Sequence, residues 1–64
     1  RVVSEFLRSL PEQQRNMFVR RYWYADSVAQ IAEEFACPEN TVKSILFRVR
    51  GKMKRFLEKE GYEV

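Results

Sequence analysis

The chain has no histidine, one cysteine, two glycines and two prolines in 64 residues. Without histidine, and with Cys37 alone, the usual ligands of a transition-metal site are missing. Nucleophile–histidine pairs and CxxC redox motifs go with them, and two isolated glycines make no phosphate-cradling loop. No cofactor is therefore expected. An active site of carboxylates alone needs a deeper pocket than so short a chain encloses, so an enzyme is not expected either. A single cysteine forms no intrachain disulfide and suits a reducing cytoplasm. Without a resolving partner, Cys37 reads as a small turn residue and not as a redox sensor. No apolar run approaches the ~18 residues of a membrane span. Strand-like alternation is absent as well, which leaves helices.

A chain this short buries only about 60% of the surface that it exposes when unfolded, so its core has to pack efficiently. A hydrophobic content of 45% is enough for an ordered globule and too high for a disordered tail. Residues 1–64 read as one domain. A chain that opens on Arg1, with no initiator Met, reads as a piece of a longer protein.

Four helices with short connections account for the pattern. In "VVSEFLRSL" (2–10), Val3, Phe6, Leu7 and Leu10 recur at helical spacing. Pro11 ends that helix and suits the first turn of the next, with Glu12 favourable to its dipole. "PEQQRNMFVRRYWY" then puts Gln14, Phe18 and Tyr22 on one stripe flanked by Met17 and Arg21, until Ala25 and Asp26 break it. Ser27 with Gln30 is a capping-box pair, opening a helix whose apolar face is Val28, Ile31, Ala32 and Phe35. After a break at 36–38, Val42, Leu46, Val49, Met53, Phe56 and Leu57 sustain helical spacing to about Glu60, and Gly61 is a plausible stop. Ser27–Ala36 followed by Pro38–Glu60 is a helix-turn-helix pattern, with small Ala32 where the two helices would cross. The predicted fold is all-α: a compact four-helix domain containing a helix-turn-helix.

Charge is distributed unevenly along these helices. Residues 1–37 carry five arginines against five acids, whereas 38–60 carry seven bases against three acids. An excess held by one helix points to a polyanion, although an ordinary solvated face also accommodates it. Projected at about 100° per residue from Val42, residues Leu46, Val49, Met53 and Phe56 fall within about 40° of zero. Lys43, Ser44, Phe47, Arg48, Gly51, Lys54 and Arg55 fall between about 100° and 240°. Solvation explains those charges but not Phe47, which stands among them. Phe47 has a reason to be there if its partner is DNA, since an aromatic ring can touch a thymine methyl while Arg48 pairs with a guanine. Burial of Phe47 by a neighbouring domain is the alternative.

The segments "LPEQQRNMFVRRYW", "SVAQIAEEF" and "PENTVKSILFRVRGKMKRFL", in that order, resemble region 4 of bacterial RNA polymerase sigma factors of the extracytoplasmic-function-like type. The resemblance covers about Phe6 to Leu57. It implies that the second helix of the motif enters the major groove of the −35 promoter element. It also implies contact with the β-subunit flap of RNA polymerase, and restraint by an anti-sigma factor as a possibility. Carried over by position, Lys43, Ser44, Phe47 and Arg48 face bases, while Asn40 and Thr41 approach phosphates at the helix N-terminus. Lys54 and Arg55 are expected on phosphates from the same face. Arg20 and Arg21 are further candidates for phosphate, or for pairing with Glu33 or Glu34. Ala36 stands where the family's turn commonly has glycine, so the backbone there must avoid positive φ or carry strain. Ile45 stands where a basic residue is frequent, and Asn40 where glycine is.

Two further expectations concern aromatics and assembly. Tyr22 is expected in the core, with Trp23 and Tyr24 covering the turn before Ser27; a stacking platform for unpaired bases is the alternative. The apolar residues are largely used by one small core, so the free domain is expected to be a monomer. A stand-alone helix-turn-helix regulator, or a response-regulator effector domain, is the nearest rival function. A protein-interaction module with an acidic partner is the more distant one.

Overall fold

The computed structural model describes residues 2–61. It holds four helices, α1 (Val2–Arg8), α2 (Glu12–Tyr22), α3 (Val28–Glu34) and α4 (Glu39–Lys59), and no strand among the described residues. The expected all-α, four-helix architecture is the observed one.

Each helix boundary has a local cause. α1 ends two residues before Leu10 because the Ser9 hydroxyl donates to the Phe6 carbonyl at 2.6 Å, and residue 10 precedes a proline that disfavours helical backbone. Pro11 and Pro38 sit at the N-caps of α2 and α4, one position outside the helical residues, with extended ψ angles of 149° and 152°. The capping box of α3 is complete. The Gln30 N–H donates to Ser27 Oγ at 3.0 Å, and Gln30 Oε1 accepts from the Ser27 N–H at 2.7 Å. α4 closes at Glu60, followed by Gly61 at φ 90°, a left-handed residue at the predicted stop.

The turn between α3 and α4 settles the question raised by Ala36. Its φ is 53°, and the N–H groups of Ala36 and Cys37 donate back to the carbonyls of Glu33 (3.3 Å) and Ala32 (3.0 Å). This is a Schellman closure, built on alanine where glycine is the easier residue. The strain is accepted because it satisfies two carbonyls at the helix end and turns the chain within a few residues.

The core is Phe6, Leu10, Met17, Phe18, Ile31, Ala32, Val42, Leu46 and Val49, contributed by all four helices and the α1–α2 link. α3 packs most closely on α4, and α2 rests against both. α1 reaches α4 near its far end, where the rings of Phe6 and Phe56 lie 5.5 Å apart. The apolar stripe of α4 weakens along its length. Val42, Leu46 and Val49 are buried, whereas Met53 and Phe56 are only half-buried, because fewer helices flank the distal half. Ile45 turns toward this core and packs against it.

Tyr22 is a correction. It is 49% exposed and belongs to the surface, while Met17, predicted only as a flank, is fully buried and takes the centre of the α2 stripe. A helix turns about 100° per residue, so a stripe centred on Met17 carries Tyr22 away from the core. Trp23 and Tyr24 are 81% and 67% exposed and cover little of the turn before Ser27. That turn is held by polar contacts instead, with Asp26 donating its N–H to the Arg20 carbonyl at 2.9 Å.

Ala32, 7% exposed, is part of the core on α3, the helix packed most closely on α4. Ala32→Leu is expected to destabilise the domain by about 1–3 kcal/mol through overpacking. Thermal melting checks this. An unchanged midpoint would place Ala32 outside the helix crossing.

Candidate nucleic-acid interface

α4 is the element that carries the site, and its two faces follow from one pattern. Val42, Leu46 and Val49 fix one side in the core, so Lys43, Ser44, Phe47 and Arg48 must stand on the other. The four line a single shallow, open hollow together with Arg50. Phe47 is 71% exposed there, an aromatic ring set among cations and a hydroxyl. Lys54 and Arg55 are exposed one to two turns further along the same helix.

The N-terminus of α4 adds backbone donors. The Thr41 and Val42 N–H groups donate to the Pro38 carbonyl at 3.0 and 3.3 Å. Pro38 supplies no side-chain cap, so the backbone donors presented by the helix end are those of Glu39 and Asn40. Asn40 and Thr41 lie exposed in that first turn, and the helix dipole makes the end favourable to an anion.

Arg20 and Arg21 occupy a different place. Arg20 Nη1 lies 3.3 Å from Asp26 Oδ2, and its Nη2 lies 3.4 Å from Glu34 Oε2. Arg21 Nη1 donates to the Asp26 carbonyl at 3.1 Å. Both arginines therefore fasten the α2–α3 link to the end of α2. Of the two acids suggested as partners, Glu34 is the one in contact.

Arg50 is the residue that the sequence pattern passed over. At about 80° from Val42 it falls on the boundary between the two faces, outside the sector counted as exposed. Its position in the resembling segment was the available signal.

Residues 1–53 match the family model described as Sigma-70, region 4. The chain belongs to this family. No curated protein and no solved structure gives a match. Sigma region 4 is a DNA-binding family of transcription, working on promoter DNA together with RNA polymerase, and is not a catalytic family. The family match stops at Met53, so the distal part of α4 with Lys54 and Arg55 lies beyond it. Among the described residues of this sigma region 4 domain, no helix is long and apolar enough to cross a membrane.

Proposed function

We propose that this domain recognises the −35 element of promoters by laying α4 in the major groove, as the C-terminal DNA-binding domain of a longer sigma factor acting in the cytoplasm. The observation that supports this most strongly is the exposed Phe47, grouped with Lys43, Ser44, Arg48 and Arg50 on a helix whose other face is core. B-DNA's major groove is about 12 Å wide and admits one helix. Arg48 then donates in bidentate fashion to a guanine, and Phe47 touches a thymine methyl or sugar edge. Lys43 and Ser44 complete the base contacts. Asn40 and Thr41 hold a phosphate at the helix N-terminus, and Lys54 and Arg55 hold the backbone further along. Arg20 and Arg21 are additional phosphate contacts from the end of α2; Arg20 contributes less, because two carboxylates already share its charge.

The protein partner in this reading is the β-subunit flap of RNA polymerase. An apolar hollow formed by Val3, Leu7, Phe18, Val19, Trp23 and Met53 offers it a surface that adjoins the base-reading hollow at Arg50. An anti-sigma factor that covers α4 or this hollow would hold the domain off its promoter.

Salt dependence tests the backbone contacts. Lys54→Ala or Arg55→Ala is expected to weaken binding to preferred and random duplex alike, with each substitution lowering the salt slope by about 0.9. A loss confined to the preferred duplex at either position would mean that α4 is docked at a different angle.

A further inference from the structure

Arg50 stands where two surfaces meet. It lines the hollow of Lys43, Ser44, Phe47 and Arg48, and it also borders the apolar hollow beside Tyr22. Its Nη1 donates to the Tyr22 hydroxyl, a bond that joins α4 to α2 across 28 positions of sequence. The Tyr22 ring is well placed for this although it is half exposed. It lies 4.8 Å from the ring of Phe18, which is itself buried in the core. A chain of contacts thus runs from the core through Phe18 and Tyr22 to a guanidinium at the edge of the base-reading surface.

The chemistry of the restraint matters. Both ion pairs among the described residues are made by Arg20, with Asp26 and Glu34. Arg50 is held by a neutral hydroxyl, which orders a long side chain without cancelling its charge. The phenol oxygen accepts from Arg50, so its own proton remains available to a further acceptor. At about 80° from Val42, Arg50 lies on the flank of α4, where a groove-bound helix meets the DNA backbone and not base edges.

We propose that Tyr22 is a positioning residue for DNA binding: its hydroxyl holds Arg50 at the edge of the base-reading hollow, where the guanidinium takes a backbone phosphate. This rests on the promoter-binding reading above and adds to it one phosphate contact and the residue that orients it.

Tyr22→Phe keeps the ring on Phe18 and removes only the hydroxyl. Binding of preferred and random duplex is measured across a salt series for wild type, Tyr22→Phe, Arg50→Ala and the double variant, with thermal melting alongside. Tyr22→Phe is expected to bind both duplexes about threefold more weakly, because an unrestrained Arg50 side chain must then be ordered on binding, with a melting midpoint lowered by no more than a few degrees. Arg50→Ala is expected to lose more and to lower the salt slope by about 0.9. In the Arg50→Ala background, Tyr22→Phe is expected to have no further effect. Tyr22→Phe binding as tightly as wild type would overturn the proposal alone. So would the same threefold loss in the absence of Arg50, since Tyr22 would then act on something else. A wild-type chain that binds no duplex at any salt would overturn the promoter reading and this proposal with it.

Discussion

Ile31→Ala is expected to cost about 2–5 kcal/mol of folding stability, the largest loss among the substitutions considered. Ile31 is completely buried in the core that α3 shares with the other helices, and Met17, Val42 and Val49 are buried as fully. So small a core has little capacity to collapse around the cavity, since tight packing on several sides leaves few side chains free to move in. A domain of this size shifts its midpoint by about 4–8 °C per kcal/mol, so Tm is expected to fall by at least about 8 °C. Thermal unfolding followed by circular dichroism measures it. A shift of only a few degrees would mean that α3 is less firmly seated on α4 than its burial implies, and that the helix-turn-helix is not the structural centre of the domain.

Arg48→Ala is expected to cost about 1–3 kcal/mol of binding free energy on the preferred duplex and to relax discrimination at one base pair. Arg48 shares the hollow with Phe47 on the side of α4 facing away from the core, and a planar fork of donors suits the two acceptors of a guanine edge. Competition binding with single-base variants of the preferred site separates the two roles that an arginine can play here. Loss of preference at one position identifies a base contact. Equal loss on preferred and random duplex would make Arg48 a phosphate contact and move base recognition elsewhere on the helix.

Much of the fold could be read from residues whose physics is local. The Ser27–Gln30 pair forms its capping box with neighbours only three positions away, and the spacing of Val42, Leu46 and Val49 orients α4 without reference to other helices. The group proposed to read bases follows directly from that orientation, which is why Lys43, Ser44, Phe47 and Arg48 lie together in one hollow. What remained hidden depends on distant packing. Tyr22 looked like core because aromatics usually are, but the centre of the α2 stripe is set by Met17 meeting the other helices. The bond from Arg50 to Tyr22 joins segments whose approach no periodicity reveals. Ala36 showed that its turn would need left-handed backbone or an alternative, and only the structure shows that the left-handed conformation is adopted.

In the proposed function, one small module makes few phosphate contacts, so its free affinity is weak, and the rest of a sigma factor on polymerase supplies effective concentration. Dimeric helix-turn-helix regulators instead pair two recognition helices across half-sites about one DNA turn apart, and they select palindromes. The measurement that separates these most directly is selection of bound duplexes from a random pool by this 64-residue chain. The sigma reading predicts enrichment of one short, asymmetric motif, present once per duplex and bound by a monomer. Enrichment of an inverted repeat bound by a stable dimer, or no enrichment of any duplex, would contradict it.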